Sequence, residues 1–224
     1  MASFIKMGES NTIMLIFKIQ YGRWYIMSID LYSGTPGSGK SLRAAYKIIS
    51  RLKSQRDVIA NFSIDFKYFK KKKIGHFTFK QNDKMTVQFL LDYAEGNHVK
   101  GKEHQTLIVL DECGMMFNSR DYAKKDRMGW IVFFQQHRKL GYDVILISQQ
   151  DRMIDRQIRG FIETEYKHRN IKNYKTFGWL LSLFSGGFFI AVEVWYGTSL
   201  KCGSEFFRYD KRKATIYDTY QIFE

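Results

Sequence analysis

The chain has 224 residues, 45% of them hydrophobic, enough to bury a full core, so one domain with an appendage is expected. Its net charge of +14 and pI near 9.6 favour an anionic partner such as nucleic acid or a lipid surface, while a single proline and no Ser/Gly-rich tract exclude a long flexible linker. Cys113 and Cys202 stand far apart and outside any metal-ligand pattern, which excludes a disulfide framework and points to reduced thiols in a cytosolic compartment.

In the first segment, Thr12 to Ile19 (TIMLIFKI) is apolar but too short to span a bilayer, and it lacks the small-residue cleavage site of a signal peptide. Residues 1–26 are therefore expected to be an N-terminal extension of little functional weight, with Met27 as the natural start. Tyr25 to Tyr32 (YIMSIDLY) is apolar and β-branched and reads as a buried strand. It runs into Gly34-Thr35-Pro36-Gly37-Ser38-Gly39-Lys40-Ser41, which fits the phosphate-binding pattern G-x-x-x-x-G-K-S/T. Glycines here let consecutive N–H groups curl around a phosphate as an anion nest. From Ser41 onward, apolar residues at 42, 45, 46, 48, 49 and 52 form a helical face. Strand, glycine loop and helix is the order this motif requires, so residues 34–42, through Leu42, are the candidate contacts for ATP. Lys40 would reach the β- and γ-phosphates, and Ser41 would offer its hydroxyl to Mg²⁺.

Asp57 to Ile64 (DVIANFSI) reads as a second strand. Beyond it, Lys67, Lys70, Lys71, Lys72, Lys73 and Lys80 are interleaved with Phe66, Tyr68, Phe69, Phe77 and Phe79. Lysines bind phosphates and aromatics stack on exposed bases, so this stretch suits single-stranded nucleic acid, with Lys70 to Lys73 as candidate contacts. A solvated loop with aromatics tucked into the core is the competing reading. Lys84 to Ala94 has helical periodicity. Thr106 to Glu112 (TLIVLDE) is a buried strand delivering two acids to the loop edge, the Walker B pattern. Asp111 would hold Mg²⁺ through water and Glu112 would polarise the attacking water. The separation of the two motifs leaves room for an additional strand, as in P-loop ATPases with a catalytic glutamate.

Asp126 to Leu140 reads as a helix apolar on most sides and hence buried, stopped by Gly141. Tyr142 to Ser148 is a further buried strand, and Gln149 at its tip is placed to sense the γ-phosphate. Arg152, Arg156 and Arg159 follow; in a ring of subunits Arg156 or Arg159 would be the candidate arginine finger, surface charge being the alternative. Residues 27–160 are thus expected to form an α/β three-layer P-loop NTPase core with a mostly parallel central sheet. A β-rich C-terminal segment, 161–224, should follow, with strands over Phe161–Arg169, Phe188–Tyr196 and Glu205–Tyr209. Thr176 to Val192 carries no charge and is shorter than the roughly 20 residues of a spanning helix. It reads either as a core hairpin or as one whose tip dips into the membrane interface beside Lys167, Lys172 and Lys175.

GTPGSGKS, LIVLDE, FFQQHRKLGYDVILISQ at 133–149 and IDRQIR at 154–159 together resemble the zonular occludens toxin (Zot) family, assembly ATPases of filamentous phages related to the FtsK-HerA motors. The resemblance runs from about Met27 to the C-terminus, and HRKLGYDVILISQ is its specific part. It implies Lys40, Glu112 and Gln149 in catalysis, Ser41 and Asp111 on Mg²⁺, and His137-Arg138 as the family's His-Arg pair. The implied function is ATP-driven export of single-stranded phage DNA, by a homo-oligomer acting on the DNA or its coat complex. The implied place is the host cytoplasm, at the cytoplasmic face of the membrane. Many relatives add a transmembrane helix and an extracytoplasmic segment; the sequence ends at Glu224 without either, so no toxin-like activity is expected. A nucleotide-switched membrane adaptor and a plasmid-transfer or DNA-pumping ATPase acting on duplex DNA are the competing functions.

Overall fold

In the computed structural model, residues 28–70, 73–120, 126–173 and 187–217 are described. The strands are β1 (Ile29–Ser33), β2 (Asp57–Ala60), β3 (Phe77–Phe79), β4 (Thr106–Leu110), β5 (Tyr142–Ile147), β6 (Thr164–Asn170), β7 (Phe188–Trp195) and β8 (Leu200–Arg208). They form one sheet in the order β3-β2-β4-β5-β1-β6-β7-β8. Pairing is parallel from β3 to β6 and antiparallel from β6 to β8. The strand lying between the Walker A strand β1 and the Walker B strand β4 is β5, which follows both motifs in the chain. The room between the motifs is filled instead by β2 and by β3, the latter at the sheet edge.

Parallel strands covered on both faces read as continuous apolar runs, and β4 and β5 show why. Ile108, Leu110, Val144 and Leu146 pack on one face, under α2 (Val87–Asn97) and α4 (Arg127–Leu140). Leu107, Val109, Ile145 and Ile147 pack on the other, under α1 (Lys40–Lys53). The three-layer α/β architecture is therefore as the motifs predict. Arg51, near the C-terminal end of α1, is ion-paired with Asp143 of β5, whose other oxygen lies 2.8 Å from His104 Nδ1. This cluster anchors the end of α1 opposite the phosphate loop.

Several boundaries differ from the sequence reading. The β2 run ends at Ala60 rather than Ile64, because Asn61 turns its amide onto the backbone of Asp111. The helix expected from Lys84 begins at Val87, where the Thr86 hydroxyl caps the Phe89 N–H at 3.1 Å. Helix α4 is amphipathic rather than buried all round: Trp130, Phe133, Phe134 and His137 face the core, while Met128 is 61% exposed. The strand expected over 161–169 spans Thr164–Asn170 and pairs in parallel with β1, so its alternation of buried and exposed residues belongs to the central sheet. β8 is longer than the Glu205–Tyr209 segment expected. Residues 1–26, Lys71, Lys72, Lys175 and positions 176–186 of the apolar hairpin lie outside the described residues.

Candidate nucleotide site

All the sequence-predicted catalytic residues leave the sheet at one edge, the C-terminal ends of β1, β4 and β5, where ligands of open parallel sheets bind. Between β1 and α1 the loop 34–39 makes two demands that only glycine meets. Gly34 has φ +142°, and a Cβ there would stand 2.5 Å from the His168 carbonyl oxygen of β6. Gly39 has φ +93°, and its Cβ would stand 2.7 Å from the Phe189 ring of β7. The loop is thus seated on the C-terminal strands. Gly39 also starts α1 with no side-chain cap, so the first-turn N–H groups face an anion's place at the positive end of the helix dipole. Thr35, Pro36 and Gly37 are exposed, Ser38 is buried, and Leu42 packs against the α1 face of the core.

The Lys40 ammonium donates to the carbonyls of Gly34 at 2.6 Å and Thr35 at 3.2 Å. Burial lowers its pKa, and the charges of Asp111 and Glu112 oppose the shift. Asp111 is desolvated enough to be pushed up to about 6, with the Glu112 N–H, Lys40 and the Ser41 hydroxyl all favouring its ionised form. Lys40, Ser41, Asp111 and Glu112 are therefore brought together, although about 70 residues separate the pairs in the chain. Ser41 and Asp111 offer hard oxygen donors, the chemistry Mg²⁺ prefers, and that ion usually needs only one or two protein ligands beside phosphates and waters. The donor set fits the ion.

Glu112 sits at φ +46°, a left-handed conformation that is strained for a residue with a side chain. It occupies the N-cap position of the short helix α3 (Cys113–Met116) without a side-chain cap bond, so the chain leaves β4 and enters α3 through this residue. Gln149 is exposed at the tip of β5, and its carbonyl accepts the Gly34 N–H at 3.3 Å. This bond is made by the backbone of Gln149, so it joins the phosphate loop to the tip of β5.

Other candidates fall elsewhere. Arg156 opens α5 (Arg156–Arg159) and is exposed, as is Arg152. Arg159 is turned inward, 3.7 Å from Asp151, whose carboxylate also accepts from the Tyr196 hydroxyl at 3.0 Å. Lys70 and Lys73 are exposed near the β3 edge, with Phe66 (52%) and Phe79 (42%) also exposed, whereas Phe69 is buried in the core. His137 is buried, with Nδ1 donating to the Phe134 carbonyl of its own helix at 2.6 Å, and Arg138 is paired with Glu163, which links α4 to the segment before β6.

Sequence reasoning missed four residues. Asn61 accepts the Asp111 N–H at 2.7 Å, donates to the Asp111 carbonyl at 2.8 Å and donates to Asn82 at 2.7 Å. Its place just past the strand beside Walker B was the only available signal. Arg43 is 2% exposed, lies 3.9 Å from the Tyr166 ring centre and pairs with Glu205 of β8 at 2.5 Å, tying α1 to the C-terminal hairpin. His168 is equally buried, and its pKa is lowered to about 3, first by desolvation and then by the Arg43 charge. Tyr217 donates a hydrogen bond to Asp111 Oδ2 from 106 residues away, and no local pattern marks it.

Comparison with known proteins places the fold and the family. The N-terminal domain of zonular occludens toxin from Neisseria meningitidis superposes with a TM-score of 0.53 at 19% identity, over 86% of this chain and all of that one. Among curated proteins, the Gene 1 protein of Salmonella phage IKe is 32% identical over 213 residues, 88% of this chain and 58% of that protein. The Gene 1 protein of Enterobacteria phage I2-2 is 33% identical over 179 residues, 76% of this chain and 48% of that protein. The chain spans about half the length of these curated relatives. The family model described as zonular occludens toxin (Zot) matches residues 28–210, from the start of β1 through β8, and the chain accordingly belongs to the Zot family, on a P-loop NTPase fold.

Proposed function

We propose that this chain is a Mg²⁺-dependent ATPase that drives filamentous phage assembly and the export of single-stranded phage DNA at the cytoplasmic face of the host membrane. The observation that carries the catalytic part is the meeting of Lys40, Ser41, Asp111 and Glu112 at one sheet edge, close enough for Lys40 and both acids to perturb one another. Lys40 balances charge developing on the β- and γ-phosphates, and the α1 N-terminus holds the phosphates in place. Ser41 and Asp111 would hold Mg²⁺, and the ion would supply positive charge to offset that of the phosphates. Glu112 takes the role of orienting and polarising the attacking water, and the Gln149 amide senses the γ-phosphate from the tip of β5, whose backbone is bonded to Gly34 of the loop. The Gene 1 proteins of phages IKe and I2-2 support the assignment to phage assembly. Action as a homo-oligomer on DNA or its coat complex follows the same family reading, with Arg156 the candidate finger.

Turnover by purified protein tests this. Lys40→Ala is expected to lower kcat/KM for ATP by about 100-fold or more, the scale seen when a charge-stabilising donor is removed. Glu112→Gln should bind ATP and not hydrolyse it. Wild-type turnover in either variant refutes the roles given. Slow hydrolysis indifferent to single-stranded DNA would favour a nucleotide-switched adaptor, and stimulation by duplex alone a duplex-DNA pump.

A further inference from the structure

Asp111 is held from three sides. Asn61 fixes its backbone, the Glu112 N–H donates to Oδ1 at 2.8 Å, and the Tyr217 hydroxyl donates to Oδ2. Tyr217 arrives on a strap that leaves β8 and crosses the outside of α1. The Tyr46 hydroxyl of α1 donates to the Arg208 carbonyl at 2.6 Å, and Lys213 lies 4.6 Å over the Tyr46 ring. Asp210 caps the single turn α6 (Lys211–Ala214) by accepting from the Arg212 N–H at 3.0 Å. The strap then docks beyond β2: Ile216 is 1% exposed, its carbonyl accepts the Asp65 N–H at 3.0 Å, and Tyr217 bridges Ile64 in antiparallel fashion. The Tyr217 ring rests 4.5 Å from that of Phe62.

We propose that Tyr217 is a positioning residue of the metal site, its hydroxyl fixing the Asp111 carboxylate in the orientation that serves Ser41, and that residues 208–217 exist in part to deliver it. The ring alone explains the packing on Phe62, and phenylalanine would supply that equally. The hydroxyl is what points at the carboxylate. Asp111 can rotate about two side-chain bonds, and a donor on each oxygen leaves one orientation satisfied. Partners of this kind orient ligand groups and tune their affinity for metal. The strap also touches α1, which begins with Lys40, so one element braces both halves of the site. This inference rests on the reading of Asp111 as the Mg²⁺ carboxylate.

The test uses the full chain with Tyr217→Phe and, as a second route, Ile216→Ala, which loosens the strap and keeps the hydroxyl. Mn²⁺ binding to the ADP-saturated protein, read by loss of the free-ion EPR signal, should weaken about tenfold in Tyr217→Phe and in the same direction in Ile216→Ala. The Mg²⁺ needed for half-maximal ATP turnover should rise by a similar factor, while kcat at saturating metal falls far less and metal-free ADP affinity holds. Mn²⁺ binding in Tyr217→Phe within about twofold of wild type, or tighter than wild type, overturns the positioning role. If the wild type itself takes up no Mn²⁺ with ADP, the reading of the site falls and takes this inference with it. Wild-type uptake with an indifferent Tyr217→Phe sinks the inference alone.

Discussion

Asp111 shows at the scale of one residue how a site is held against its own stability. Burial is the largest cause that pushes its pKa from 3.8 to about 6, with the Glu112 N–H pulling the other way. Between those values the native state keeps a proton that the unfolded chain has released. Its stabilising contribution is therefore present below about pH 4 and is lost as pH rises to about 6, leaving a penalty of roughly 1–3 kcal/mol at pH 7. Asp111→Asn should accordingly raise the urea midpoint at pH 7 by an equivalent of about 1–3 kcal/mol, with the gain shrinking towards pH 4, while abolishing turnover. Equal midpoints for the two proteins at pH 7 would count against the penalty. Asn61 is the opposite case. Asn61→Ala leaves the Asp111 N–H and carbonyl without their partner, so a loss of about 1–3 kcal/mol is expected, measurable by the same unfolding series. Lys40, Ser41, Asp111 and Glu112 were legible because phosphate chemistry fixes their types and local spacing. Asn61, Arg43, His168 and Tyr217 were not, because each acts through a partner far away in the chain.

At the scale of elements, hydrophobic period located the long strands of the parallel sheet, since burial on both faces leaves an extended apolar run in the sequence. Boundaries slipped where polar groups took over the backbone: at Asn61 after β2, and at the Thr86 cap before α2. Helix α4 carries apolar residues on most sides in the sequence, yet Met128 and Val132 are exposed, so side-chain type overstates its burial. The phosphate loop has a further constraint that its own motif does not reveal. Gly39 lies against Phe189 of β7, and Phe189 is stacked on Phe207 of β8 at 5.4 Å. Gly39→Ala should thus cost about 2–4 kcal/mol, part from the left-handed backbone and part from the ring contact, and should abolish ATP binding. A thermal melt paired with nucleotide titration checks both; Phe189→Ala should relieve the ring's share of the defect and leave the backbone share.

For the molecule as a whole, the net charge of +14 is the feature the site does not use. Lys70 and Lys73, exposed beside Phe66 and Phe79 at the β3 edge, are a candidate backbone-tracking surface away from the phosphate loop. Lys70→Glu combined with Lys73→Glu should weaken single-stranded DNA binding uniformly across sequences. The slope of log affinity against log salt should fall by about 0.7 for each phosphate that is no longer neutralised. ATP affinity without DNA should hold. An unchanged salt slope would mean that the lysines only solvate the loop.

The sequence by itself determined the phosphate loop, the paired acids, the apolar strands and the order strand–loop–helix, because each follows from local backbone freedom, charge type or a short hydrophobic period. It also carried the family, through motifs contiguous in the chain. Only the tertiary structure decided that β5 lies between the two motif strands, that β6 to β8 complete the same sheet and seat the loop through His168 and Phe189, and that Asn61 and Tyr217 meet on Asp111. Those contacts join residues dozens to more than a hundred positions apart, and no periodicity along a chain encodes which distant surfaces will close upon each other.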